Sequence, residues 1–209
     1  MTIILQFIAY APYIRQTWSG KIKPHPFSWI IWTASCVIVG VIMLTNGGGW
    51  ATWSHFTVGA LCLLVAILAF KRKSHFVAKI SRSDWICLIL AVAALILFVF
   101  AKDPLMATAL LILADVLASI PTLAKVRLMP FSETQFMWWL DAFAAVFAII
   151  AIADYNAVTL IQGVGTVIVN FAGAIFIFIY QYGFSYREKA IETVEIAEED
   201  SRENSAFDK

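Results

Sequence analysis

The chain has 209 residues and a net formal charge of +1; 61% of the residues are hydrophobic and 14% charged, against about 25% charged in soluble domains. That balance excludes a soluble globular domain and makes the lipid bilayer the expected environment. Without a basic arm or interleaved aromatic and basic residues, it also excludes nucleic acid as a partner. The three cysteines, Cys36, Cys62 and Cys87, each stand alone inside an apolar run, at no metal or redox spacing, so neither a metal nor a cofactor is expected.

The N-terminal run from Ile3 to Ala11 lacks the positive segment and small-residue cleavage site of a secretory signal, and Pro12-Tyr13 interrupts it, so it reads as a short first membrane helix. Apolar runs over about 3–18, 27–45, 51–70, 84–101, 105–124, 133–152 and 157–181 approach the ~20 residues that cross ~30 Å of hydrocarbon as a helix. Barrel strands would instead alternate apolar and polar residues. Asn46-Gly47-Gly48-Gly49, Asp103-Pro104 and Asp154-Tyr155-Asn156 separate the second and third, fourth and fifth, and sixth and seventh runs. The other links are basic, so 14 of the 15 lysines and arginines fall on one side, with only Lys102 opposite. The positive-inside rule then puts the N-terminus outside and the C-terminus in the cytoplasm, which requires an odd number of helices. After about residue 185 the chain turns acidic; Ile191, Val194 and Ala197 share a helical face that extends the seventh helix by a turn or two, and disorder is expected beyond Asp200.

The chain repeats itself. Ala9-Tyr10-Ala11-Pro12-Tyr13-Ile14-Arg15 and Ala118-Ser119-Ile120-Pro121-Thr122-Leu123-Ala124-Lys125 each place one proline near the end of an apolar run with a basic residue after it. Pro26-Phe27-Ser28 heads a run carrying Trp29 and Trp32, and Pro130-Phe131-Ser132 heads one carrying Trp138 and Trp139. The first and fifth helices run in the same direction, so the reading is an all-α membrane protein of seven transmembrane helices in a 3+1+3 arrangement. Two parallel repeats are joined by helix four as inversion linker. The segments are 1–70 for the first repeat, 71–104 for a basic cytoplasmic loop and the linker helix, 105–184 for the second repeat and 185–209 for the acidic tail. Proline removes a backbone hydrogen bond and kinks a helix. The pair Pro12 and Pro121 therefore reads as two hinges, against the plainer reading that membrane helices tolerate proline.

On these motifs, together with Lys23-Pro24-His25-Pro26-Phe27-Ser28-Trp29-Ile30-Ile31-Trp32, the chain resembles the SWEET and PQ-loop superfamily of membrane transporters, and within it an uncharacterised bacterial branch. The Pro-Gln dipeptide of that superfamily is replaced by Pro12-Tyr13 and Pro121-Thr122. The resemblance implies the same helix count and orientation, location in a bacterial inner membrane, and transport of a small polar solute, with a homo-oligomer as an open alternative. It also implies a role for Asn170, which is similar to the asparagine that such transporters carry on the third helix of a repeat to bind sugar hydroxyls. Helix three offers Ser54, His55 and Thr57 in place of a matching asparagine.

Ionisable groups within membrane helices are costly and mark function by default. Asp115 and Asp141 fall near the middle of helices five and six. Neither can face lipid as an anion, so each is expected to point into the bundle and either to carry a proton during transport or to hydrogen-bond a neighbouring helix. The offset of 109 residues that aligns Pro121 with Pro12 puts Gln6 at the depth of Asp115. It pairs Asp141 with Trp32, or with Ser35 in an alternative register. Asn170, Gln6, Trp32 and Trp138 are the expected substrate-binding residues, and His55 is either a ligand or a packed histidine. Gln162, between the outer end and mid-membrane, is a candidate for the outer vestibule. Trp18, Trp50, Trp53 and Trp85 fall at helix ends, as an interfacial belt does.

Helix seven lacks the lysine of a retinal protein, and no zinc-binding His-Glu pair, nucleophile elbow or phosphate loop occurs, so no enzymatic activity is expected. Two readings remain. The first is a transporter or facilitator of a small polar solute, sugar-like first and amino acid or other metabolite next, with proton coupling through Asp115 or Asp141. The second is a non-transporting receptor, scaffold or assembly factor on the same fold, working through its basic loop or acidic tail.

Overall fold

Each apolar run becomes one helix, and the helix ends fall where the sequence supplies a cap or a breaker. The computed structural model describes residues 1–71, 81–101 and 103–207, with Phe98 and residues 188–207 as backbone only. Among the described residues there are seven α-helices and no strand: α1 (Thr2–Trp18), α2 (Pro26–Thr45), α3 (Trp50–Lys71), α4 (Arg82–Phe100), α5 (Pro104–Leu128), α6 (Gln135–Ile150) and α7 (Ala157–Phe207). Residues 72–80 of the basic loop, Lys102 and the last two residues lie outside the described residues.

Proline opens α2 and α5 at the first turn, where its missing N–H costs nothing. Asp103 caps α5 by accepting from the Leu105 and Met106 amides at 3.1 and 3.4 Å. Asn156 Oδ1 does the same for α7, accepting from Val158 and Thr159 at 3.0 and 3.1 Å. At α4, Ser81 Oγ accepts from the Asp84 amide while Asp84 Oδ2 accepts from the Ser81 amide, a reciprocal capping box. Pro12 and Pro121 both lie inside unbroken helices.

Among the described residues four segments are long and apolar enough to cross a membrane: α2, α3, α5 and the part of α7 from Ala157 to Arg187. At 17 and 16 residues, α1 and the apolar α6 are shorter, about 24–26 Å at ~1.5 Å per residue. Two expectations need correction. The fifth helix continues to Leu128, because no breaker follows Pro121 until Pro130, so Lys125 belongs to its last turn and not to a solvated link. The seventh continues to Phe207 in place of disorder beyond Asp200; its sequence after Gly183 contains neither glycine nor proline and is rich in Glu, Ala, Lys and Arg, which favour helix.

Six helices close a ring in the order α1, α3, α2, α5, α7, α6, and α4 sits outside it against α5 and, more lightly, α2. Exchanging the first three helices for the last three leaves that order unchanged. The loops pair correspondingly. At one end the Asp154 amide donates to Gly47 O at 2.8 Å and Asn156 Nδ2 donates to Asn46 O at 2.8 Å. Gly47 is required there, since it has φ +80° and a Cβ would overlap the Asp154 side chain. At the other end the Lys23 amide donates to Ser132 O at 3.0 Å, and Thr122 Oγ1 donates to Ser28 Oγ at 2.9 Å.

A buried ion pair locks that second end. Lys125 Nζ lies 2.5 Å from Glu133 Oε1, with both side chains essentially inaccessible. Lys125 also donates to Lys23 O, and the Tyr13 hydroxyl donates to Glu133 Oε2 at 2.8 Å. Gln181 Nε2 donates to the Pro130 and Glu133 carbonyls at 2.9 and 2.8 Å. One glutamate thus ties α1, α5 and, through its own backbone, α7 to the link before α6. Beside this end, His25 lies 3.7 Å from Asp84; burial pushes its imidazolium down to about 4, against the opposing pull of Asp84, so it is neutral at pH 7.

Lys125→Ala or Glu133→Ala leaves a buried charge without its partner and is expected to lower stability by about 3–5 kcal/mol, measured by unfolding in detergent. The double substitution Lys125→Met, Glu133→Leu is expected to recover most of that loss; a double variant as unstable as the sum of the single ones contradicts the pairing.

A candidate solute-binding cavity

The ring surrounds a partly open cavity of about 90 Å³ lined from α1, α2, α3, α5, α6 and α7. It extends from Met43 and Ile152, beside the glycine loop, to Trp29 and Trp138. Beyond that layer Tyr13 packs against Trp29 at 5.0 Å between ring centroids, tilted by 42°, and the Tyr13–Glu133–Lys125 cluster closes the bundle.

All seven residues expected to bind solute or carry protons line this one cavity: Gln6, Trp32, His55, Asp115, Trp138, Asp141 and Asn170. The prolines do not. Pro12 precedes Tyr13, and Pro121 lies one turn before Lys125, so both sit next to the ion-pair cluster and outside the cavity.

Local sequence explains the placement. In α1, Gln6, Tyr10 and Tyr13 recur at helical spacing and form one buried stripe. Gln6 Nε2 donates to Ser54 Oγ of α3 at 2.7 Å, while its Oε1 has no partner. Gln162 contributes a second buried amide oxygen without a partner. Tyr10 lies beside Asp141, with its hydroxyl 3.7 Å from Cys62 Sγ. Ser35 stands beside Asp115, yet neither Ser35 Oγ nor Asp115 Oδ1 makes a hydrogen bond. Asn170 donates to Thr166 O of its own helix at 3.0 Å.

The tryptophans form the cavity's deep wall. Trp29 meets Trp32 at 5.2 Å and 84°, and Trp32 meets Trp138 at 5.6 Å and 80°, the edge-to-face arrangement that aromatic quadrupoles favour. Trp32 Nε1 donates to the Asp115 carbonyl at 3.4 Å. Trp138 lies flat against α7 only because residue 173 is glycine; a Cβ there would overlap its ring. His55 is buried without an ionic partner among the described residues.

Four members of this region carry weaker sequence signals: Tyr10, Ser35, Trp29 and Glu133. Tyr10 is recoverable from its spacing to Gln6. Glu133 looks like an ordinary loop acid, and its burial follows only from the docking of two distant links. Among the described residues no group of three or more His, Cys, Asp or Glu side chains is arranged to hold a metal ion.

In a Cys62→Ala, Cys87→Ala background, Cys36 on the cavity wall is expected to react with methyl methanethiosulfonate. Adding Ala148→Phe fills the cavity and is expected to slow the reaction sharply; an unchanged rate means that the thiol is reached by another route.

No family model, curated protein or solved structure matches this chain.

Proposed function

We propose that the chain is a membrane transporter or facilitator of a small polar solute, bound at the centre of the helix ring. The observation that carries the reading is the cavity: its lining, largely apolar and aromatic, comes from both helix triplets and brings Asp115, Asp141 and Asn170 together. A scaffold that works through its loops has no need of such a centre. A closed apolar core with Asp115 and Asn170 on unrelated faces would have suited it better.

In this reading α1–α3 and α5–α7 are parallel repeats, α4 is the inversion linker and all seven helices span the bilayer. The ring order, unchanged when the triplets are exchanged, supports the repeat. Short spans such as α1 and α6 are accommodated by local thinning of the bilayer at modest cost. Positive-inside orientation places the Lys125–Glu133 cluster at the cytoplasmic end and the glycine loop outside, so the cavity lies on the outer side of a closed cytoplasmic end. Pro12 and Pro121, each within a turn of that cluster, act as the hinges about which it opens. This is the plan the resemblance to SWEET and PQ-loop transporters implies.

The cavity also bears on the size of the solute. It is smaller than the ~150 Å³ void that accepts a benzene ring, so a hexose needs a wider state of the ring, while a solute of a few heavy atoms does not. Proton coupling rests on Asp115 and Asp141, the two carboxyls in the lining.

Asp115→Asn and Asp141→Asn are expected to flatten the pH dependence of solute uptake into proteoliposomes, with folding monitored separately. Pro12→Ala and Pro121→Ala are expected to slow uptake with little change in solute affinity. Uptake with an unchanged pH profile in both aspartate variants removes proton coupling from the account.

A further inference from the structure

Resting on the reading of the cavity as a solute site, we infer that its solute is a small organic ammonium ion. The juxtaposition that carries this is two carboxyls, free amide oxygens and orthogonal tryptophan rings in one cavity, with no lysine or arginine among the described residues of its wall.

Charge comes first. Asp115 and Asp141 both line the space, and among the described residues the basic side chain beside them is His55. The buried cation of the bundle, Lys125, is already paired with Glu133 outside the cavity. An anionic solute would therefore enter beside two acids with nothing to offset it, whereas a cation favours their charged form and pairs with it.

Hydrogen-bonding capacity points the same way. Gln6 and Gln162 are each 3% exposed, and each leaves its Oε1 without a partner, as does Asp115 at Oδ1. An unmet acceptor in a buried wall is costly and is met by a donor. An ammonium group carries donors and no acceptor, the complement of those three oxygens. A sugar brings hydroxyls that both donate and accept, and so leaves the excess of acceptors unmatched. A free donor in the wall is the indole N–H of Trp138, which suits a single hydroxyl or carbonyl oxygen on the same molecule.

The aromatic wall completes the match. Successive tryptophans meet at 84° and 80°, so their faces form corners, and a desolvated cation over an indole face is attracted by the ring quadrupole. The size of the cavity limits the solute to a few heavy atoms, as in a hydroxyalkyl ammonium.

The test uses full-length protein in nanodiscs, with radiolabelled ethanolammonium as probe and 1-propanol, in which a methyl group replaces the ammonium, as its uncharged isostere. Equilibrium dialysis and tryptophan fluorescence report binding. The expected result is saturable ethanolammonium binding, at least on the order of tenfold tighter than 1-propanol and similarly weakened by Asp115→Asn or Asp141→Asn. Asp103→Asn, at a helix cap remote from the cavity, is expected to bind as wild type. Circular dichroism and thermal unfolding exclude misfolded variants. Equal binding of the two probes, no binding of ethanolammonium, or equal loss with Asp103→Asn overturns the inference. Flux separates this from the transport reading: hexose uptake without ethanolammonium binding overturns the ammonium assignment alone, whereas ethanolammonium binding without flux of any solute overturns transport and leaves the site's chemistry standing.

Discussion

A carboxyl group midway along a helix of apolar residues has nowhere to go in lipid. Hydrocarbon offers no hydrogen bonds, and an unsatisfied polar group there costs several kcal/mol, so Asp115 and Asp141 must turn towards other helices. Two facing helices that each turn an acid inward cannot close into a dry apolar seam. The ring of six helices answers that constraint. It sets Ser35 beside Asp115 and Tyr10 beside Asp141, and leaves between the triplets a largely apolar cavity into which Gln6, Asn170 and both acids turn. Much of the remaining packing follows, including the tryptophan layer and Gly173, which lets Trp138 lie against α7.

The two ends of the bundle solve a different problem in two ways. At the glycine-loop end the links are short, and their backbones hydrogen-bond directly. At the basic end the links are held by charge: Lys125, Glu133 and Tyr13 form a buried cluster that satisfies both ions. Such a pair is costly to break from one side but adds little over a well-packed apolar replacement. That is the character expected of a contact which fixes one arrangement of helices. Pro12 and Pro121 lie beside this pair, each inside an unbroken helix.

Much of the fold was legible in the sequence because membrane helices announce themselves by length and composition. The seven runs match the seven helices to within a few residues, apart from the two C-terminal extensions, since breakers and caps such as Asn46-Gly47, Asp103-Pro104 and Asn156 stand at their ends. The site was legible for a related reason: a polar residue in an apolar run must face inward, so Gln6, Asp115, Asp141 and Asn170 could only converge. Lys125 and Glu133 were not legible, because residues near a helix end read as solvated, and only the docking of the α1–α2 link onto the α5–α6 link buries them. The helical tail escaped for a local reason, since its acidity spoke for disorder while its Glu, Ala and Lys content favours helix.

The central claim is that the cavity is the path of a solute. It is tested most directly by comparing the uptake of small amines, amino acids and sugars in proteoliposomes of the wild-type protein and of Ala145→Phe, which places a ring in the cavity from α6. The account predicts saturable uptake of at least one of these solutes by the wild type and its loss in the filled variant, with both proteins equally folded. Uptake no greater than in protein-free vesicles, or equal uptake by the filled variant, would contradict it.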